Sequence, residues 1–439
     1  AKWLMSLPEI KKETCLKANK RGKTPLELAM DRSENEMVEV VEEMIKKGVP
    51  LRGMMEFGGF KERRSAEMMC EWMVEREVNK FKESGGKIPF VDCEFPSNEQ
   101  SLWKDPTQPA DTKKTGIVHP TCWKRINEMM KECGGDSGMF ANDGSEPKFE
   151  DIEQGEIGTC YLMSSIAVIS STSPQLLRSL FIGCGSNKSE DEKERNRRET
   201  GIVGMILFNE KGRAVPMVMD DLIPCKEVKR ASDETARNQA LYGHTRGANS
   251  KWFVSMIEKG FAKMKGSYEA IDGGVERYAL ATMTGGIIGN LNLMDIDMLR
   301  ERQRGNLWNV MTGLHTNPTF HNFLTCSING GMKMTKEQLN GLITGHAYGI
   351  LKMVKVDDDL KRKRHLVQLI NPYGDDEWKG EWSDSSPLMN EKVMRQLGME
   401  KKGAVNDGVF FMEFETDFLR FFTSVDQCTV ARETKEEGL

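Results

Sequence analysis

The chain has 439 residues, 38% of them hydrophobic, and its 62 Lys and Arg set against 67 Asp and Glu leave a formal net charge of −5. That length supports two or three domains at about 100 to 200 residues each, and the near balance of charge, with no basic face or aromatic–basic interleaving, argues against a nucleic-acid surface. Ten cysteines without metal-ligand spacing read as thiols of a reducing compartment, hence a cytoplasmic location, and no apolar run reaches the ~18 residues that suggest a membrane span.

Residues 19–48, NKRGKTPLELAMDRSENEMVEVVEEMIKKG, resemble one ankyrin repeat. The turn Arg21-Gly22-Lys23, the helix start at Thr24-Pro25 and a second helix carrying Met37, Val38, Val41, Met44 and Ile45 follow that pattern. Repeats bury their apolar faces only by stacking, with about three needed for stability. Residues 1–50 are therefore read as the last repeat of an array or a cap, an ordinary helical hairpin being the plainer alternative, with a protein partner expected on this segment. Residues 51–86 are charged and helix-prone and read as a helical linker. The irregular FVDCEFPSNEQSLWKDP then starts a second domain near Lys87.

Further along, an apolar helix is expected from Cys160 to about Ser171, strands in GIVGMILF (201–208) and AVPMVMD (214–220), and an amphipathic helix in KWFVSMIEKGFAKM, with Trp252, Phe253, Met256, Ile257, Phe261 and Met264 on one side. SNKSEDEKERNRRE and EVKRASDETARNQ read as solvated surface insertions. After Asp272-Gly273-Gly274 the pattern shifts toward strands, including HAYGILKMVKV and HLVQLIN, and implies a β-rich second lobe.

A lone cysteine is more often buried and inert than reactive, but Cys160 sits in QGEIGTCYLMSSIAVIS, where a glycine-flanked loop meets a helix start. Unpaired N–H groups there favour a thiolate, Gly155 and Gly158 let a substrate backbone approach, and Gln154 places an amide donor six residues earlier, suited to an oxyanion. A helix dipole contributes at most ~2 kcal/mol, whereas taking a thiol from a pKa of ~8.5 to ~4 needs about 6 kcal/mol. A cationic partner is required. Of six histidines, five stand in weaker contexts, His244 among them in a polar insertion, while His346 stands behind Gly345 at the opening of a strand. The strand pairs with HLVQLIN and returns Asn371 toward it. Counting from Val356 opposite His365 leaves Asn371 opposite Ile350, so a bulge or another register must bring the carboxamide to the imidazole, where it would fix tautomer and orientation.

The order Gln154, Cys160, His346, Asn371, within GTCYL, GHAYG and NPYGDDEWKGEWSD, resembles the calpain protease core, and FVDCEFP, MDDLIP, EKGFAKMKGSYEAIDGG, TGG, CSI and DFLRFF resemble calpain segments in the same order, from about Phe90 to Cys428. The resemblance implies a papain-like α+β (α/β) fold: a lobe over 87–275 bearing the cysteine, a β-rich lobe over 276–432 bearing the histidine and asparagine, and a short tail at 433–439. It implies Cys160 as nucleophile, His346 as general base and acid, Asn371 as its orienting residue, Gln154 as oxyanion donor, and Gly274 and Gly345 flanking the substrate backbone. Trp378 matches one aromatic of the NPWG…W motif, while Tyr373 stands where its first tryptophan is expected and Thr159 where an Asp usually precedes the nucleophile.

The activity so implied is a cysteine endopeptidase acting on protein substrates through an acyl-thioester, and the alternatives are a catalytically silent interaction scaffold and a thiol acyltransferase. The family core is typically aligned by two calcium ions, and both sites look degraded here, so no cofactor is expected to be required. Asp151 matches the first site, but Lys251 replaces its glutamate. Glu377, Asp384 and Asp407 match the second, where Val409 replaces an acid. Calcium takes 6 to 8 oxygen ligands. Lys251 is expected to pair with Asp151 in place of the first ion, a side chain that simply reaches solvent being the plainer alternative.

Overall fold

The computed structural model describes residues 63–432 apart from 110–116, 134–137, 141–145, 184–189, 231–232, 247–250, 332, 375 and 400–406. The ankyrin-like segment and the 433–439 tail lie outside the described residues.

The chain enters through helix α1 (Arg63–Glu83), whose Ala66, Met69, Cys70, Met73, Val74 and Val78 recur at helical spacing and are buried. They lie on strands β2 (Ile202–Phe208) and β3 (Ala214–Asp220), paired antiparallel. A Cβ at Gly204 would fall 2.7 Å from Val74 Cγ2 and 3.1 Å from Cys70 Sγ, so the glycine lets helix and sheet meet. Much of the span read as a linker is thus a packed element, because its charges occupy only the outer face of the helix.

A second three-stranded sheet is built from β1 (Cys122–Arg125), β4 (Leu222–Arg230) and β5 (Asp233–Ala240), with β4 in the middle. EVKRASDETARNQ, expected as a loose insertion, supplies its hairpin. Its polar composition hid a pairing that depends on backbone hydrogen bonds more than on apolar alternation.

Helix α2 (Cys160–Thr172) is apolar on all sides and is buried from Tyr161 to Ser170. Its serines are accommodated locally, Ser165 Oγ donating to Tyr161 O at 2.7 Å and Ser170 Oγ to Pro147 O at 2.6 Å. Helix α3 (Phe253–Lys265) is buried through Lys263 and takes two lysines into the core with it. Lys259 Nζ donates to Asp220 Oδ1 at 2.5 Å and to the carbonyls of Asp220 and Leu222, and Lys263 Nζ to Asp92 Oδ2 at 2.6 Å and Val218 O at 2.7 Å. Each buried ammonium therefore has an opposite charge and carbonyl acceptors.

After the Gly273-Gly274 turn comes a helix before any strand, α4 (Glu276–Thr284). Strands β6 (Ile287–Asn292), β7 (Phe320–Ile328), β8 (His346–Asp357), β9 (Lys363–Ile370), β10 (Val409–Glu413) and β11 (Ser424–Ala431) then form an antiparallel six-stranded sheet in the order β10-β9-β8-β7-β11-β6. The first six residues of β8 are all buried, because α2 covers one face and a cluster including Tyr348, Phe410, Phe418 and Phe422 fills the other. Gly349 permits the approach of α2: a Cβ there would lie 2.8 Å from Val168 Cγ2. The mixed α+β reading and the β-rich second lobe agree with this architecture.

Candidate active site

Thr159 caps α2 and Cys160 is its first residue. The preceding loop is held at several points by polar ties. Gln154 N donates to Pro372 O at 2.9 Å, Glu156 N to Leu241 O at 3.0 Å, and Gly158 N to Asp272 Oδ1 at 2.9 Å. Gly155 runs so close to the carbonyls of Leu241 and Tyr242 that a Cβ would lie 2.4 Å from each. Thr159, in the place of the expected Asp, donates its hydroxyl to Glu258 Oε1 at 2.7 Å, while Glu258 Oε2 accepts Gly243 N at 2.8 Å. Burial pushes the Glu258 carboxyl up to about 7 against these two donors.

His346 opens β8, directly after Gly345, whose φ of +65 suits glycine. The ladder between β8 and β9 pairs Lys355 with His365 and Ile350 with Leu369, with an irregularity between Ile350 and Lys352. The expected register was one residue off and the bulge at Leu351 adds a second step, so that Asn371, one residue past the pair Gly349–Ile370, comes level with Tyr348, two residues from His346. His346 Nε2 then lies 2.8 Å from Asn371 Oδ1. The asparagine's orientation is set by its other bonds, Oδ1 accepting Tyr373 N at 3.1 Å and Nδ2 donating to Asp376 O at 3.0 Å. The oxygen therefore faces the ring, Nε2 carries the proton, and Nδ1 is left to exchange protons elsewhere.

Both partners are shielded from water, His346 at 3% exposure and Asn371 at 0%. Tyr373 stacks on the imidazole with ring centroids 4.5 Å apart and planes 11° apart, and Tyr348 meets it edge-on. The smaller ring in place of tryptophan thus still covers the pair. Trp378 is buried, donating Nε1–H to Glu381 O at 2.8 Å.

Helix α2 packs along β8, which brings Cys160 to the His346 end of the strand, where the backbone N–H of Ala347 favours the ionised sulfur. Burial nevertheless pushes the thiol up, with the Glu276 carboxylate adding to the effect, and burial pushes His346 down to about 4 against the Asn371 bond. The expected low-pKa thiolate is not what this arrangement favours. Desolvation disfavours the thiolate and the imidazolium, each taken alone. Gln154 is buried beside them. Its Nε2 donates to Ile157 O at 2.7 Å and its Oε1 has no hydrogen-bond partner. Gly274 packs against the Tyr161 ring, which leaves no room for a Cβ, and Gly345 approaches Gly330.

Lys251 Nζ lies 2.8 Å from Asp151 Oδ2. Asp151 also accepts Arg246 N through its carbonyl, and Lys251 exchanges hydrogen bonds with Thr245, which pairs with Ile152 two residues before Gln154. An ammonium on the carboxylate does not fit a divalent cation there. In the second lobe Glu377 Oε1 accepts the N–H groups of both Asp407 and Gly408 at 2.7 Å, and Asp407 Oδ1 accepts Val409 N at 3.0 Å. Burial raises the Glu377 carboxyl, with the nearby Asp384 and Asp407 adding to it, and no group of three His, Cys, Asp or Glu placed to hold a metal is found among the described residues. No described helix is long and apolar enough to cross a membrane.

Sequence reasoning missed Asp272, Glu258 and Arg246. Arg246 bridges the lobes, with Nε 3.4 Å from Glu153 Oε2 and Nη1 donating to Asp407 O at 3.0 Å. None carries a local signal, since each acts on a segment about 100 residues or more away or on loop backbone.

The profile of the calpain family cysteine proteases matches residues 90–429. The chain belongs to the calpain family. It is 31% identical over 360 residues to a calpain-type cysteine protease, DEK1, of Arabidopsis thaliana, covering 81% of this chain and 15% of that protein. It is 30% identical over 353 residues to the calpain-1 catalytic subunit of Mus musculus, covering 78% and 42%, and 29% identical over 356 residues to calpain-5 of Mus musculus, covering 78% and 50%. The match thus spans half or less of these relatives' own lengths.

Proposed function

We propose that this chain is a cytoplasmic calpain-type cysteine endopeptidase that hydrolyses protein substrates through an acyl-thioester. The observation that carries the reading is the shielded His346–Asn371 hydrogen bond of 2.8 Å at the start of the strand on which the Cys160 helix packs. With Nε2 committed to Asn371, His346 Nδ1 takes the thiol proton as sulfur attacks the scissile carbonyl, and returns it to the departing amine. Water, deprotonated by the same nitrogen, then cleaves the thioester. Gln154 supports the developing oxyanion, its amide turning from Ile157 toward the substrate. Gly274 and Gly345 leave the peptide backbone room on either side.

Lys251 acts as a built-in cation. Its ion pair with Asp151 stands at the base of the Ile152–Glu153 strand and holds the Gln154–Cys160 loop without metal. The test is hydrolysis of a protein substrate by the purified chain in excess chelator, with Cys160→Ala as control. Turnover abolished by that substitution is expected. Uniformly slow alkylation of Cys160 and absence of turnover would favour a silent scaffold, and incorporation of an added amine in excess of hydrolysis would favour an acyltransferase.

A further inference from the structure

Away from the cleft, β1 pairs antiparallel with β4 and sets Cys122 directly opposite Cys225. Opposed residues in such a ladder project from the same face with Cα atoms about 4.5 to 5.5 Å apart, inside the span of roughly 4.4 to 6.8 Å that a disulfide bridges. Both residues are thiols. Cys225 is buried, its Sγ donating to Ile223 O at 3.3 Å and touching Met129 Sδ at 3.4 Å. Cys122 is half-buried, its Sγ 3.2 Å from Asn238 Oδ1. Solvent reaches Cys122 first, and Cys225 stands behind it.

The location connects this pair to the cleft. Cys225 is also opposite Ala240 on β5, and the next two residues, Leu241 and Tyr242, present the carbonyls against which Gly155 packs. Leu241 O accepts Glu156 N. The two thiols therefore sit one strand behind the ledge that carries the Gln154–Cys160 loop.

We propose that Cys122 and Cys225 are a redox modification site, forming a reversible disulfide that clamps β1 to β4 behind this ledge. With hydrogen peroxide as oxidant, the Cys122 sulfur takes one oxygen to become a sulfenic acid and one water leaves. The Cys225 sulfur then attacks the sulfenic sulfur; the S–S bond forms, the S–O bond breaks, and the oxygen departs as a second water with the thiol proton. Two thiols are oxidised by two electrons and one peroxide is reduced to two waters. A small dithiol reverses the step. The proposal stands independently of the peptidase reading.

The experiment uses the full chain carrying Cys160→Ala, exposed to peroxide, alkylated after denaturation and mapped by mass spectrometry. A linked peptide containing Cys122 and Cys225 is expected, lost on reduction and absent from Cys122→Ser and from Cys225→Ser. Because the bridge closes a loop of about 100 residues, the oxidised chain should melt roughly 5 to 10 °C above the reduced one. Recovery of the two cysteines as separate alkylated or sulfinylated residues, or linkage of Cys122 to another cysteine, overturns the assignment. A linked pair with no gain in melting temperature overturns the clamp.

Discussion

In the helical lobe Cys160 is held by polar ties to distant segments, through Gln154 N, Glu156 N, Gly158 N and the Thr159 hydroxyl, whereas in the β-rich lobe His346 is held by strand register and by rings above and beside it. The contrast extends into the two cores. The first contains the buried ion pairs Lys259–Asp220 and Lys263–Asp92, while the second is packed with aromatics such as Phe414, Phe418 and Phe422 in successive stacks. A hydrogen-bonded loop places an atom by direction and fails when one partner is lost; a packed sheet places an atom by shape and spreads the loss over many contacts.

The comparison breaks most completely at the reacting atoms. Cys160→Ala should abolish turnover and His346→Ala nearly so, each with an unchanged far-ultraviolet dichroism spectrum; residual activity in Cys160→Ala would mean that another group attacks. Next is the cost of unpairing a buried charge. Lys259→Met leaves Asp220 in the core without its cation and should cost about 3 to 5 kcal/mol in urea unfolding, whereas Phe418→Leu, which keeps the second core apolar, should cost less. Equal losses would remove the distinction between the two cores. Gln154→Ala should lower kcat by about 10²- to 10³-fold, and full kcat in that variant would end its assigned role. Lys251→Glu should leave a chain whose activity responds to calcium, while the wild type works in chelator; a wild type that calcium switches on would contradict the lysine bridge.

The remaining effects are pH dependences of opposite sign, one from each lobe. Burial holds folded His346 at about 4, below its ordinary 6.5. Between those values the unfolded chain binds a proton that the folded chain does not, so stability falls as pH drops from 6.5 toward 4. Burial holds Glu258 at about 7, above its ordinary 4.5. There the folded chain keeps the extra proton, so this residue's contribution falls as pH rises from 4.5 toward 7. Chemical denaturation across this range should show the acid-side loss flattened in His346→Gln and the opposing slope flattened in Glu258→Gln. Unaltered slopes in both variants would assign the pH dependence to other groups.

Apolar patterning alone determined the strongest elements: α2, β2, β3 and α3 form close to where CYLMSSIAVISS, GIVGMILF, AVPMVMD and KWFVSMIEKGFAKM place them, because burial of one face leaves a repeat in the chain and burial of all faces a continuous apolar run. Cys160 and His346 stood out because a glycine-marked loop enters a helix or a strand there, and the expected pairing of His346 with Asn371 is met by a hydrogen bond of 2.8 Å. Lys251 opposite Asp151 was expected from the resemblance to the family's first calcium site and is met by an ion pair of 2.8 Å. Only the tertiary structure decided the rest. The polar β4–β5 hairpin formed because backbone pairing needs no apolar signature, and α1 packed against the first sheet although its outward charges dominated the reading. The register of β8 on β9 turned on one bulged residue, which no count of residues locates. The direction of the pKa shifts followed from burial: solvent exclusion raises the Cys160 thiol and lowers the His346 imidazole, where the helix start taken by itself had pointed to a thiolate.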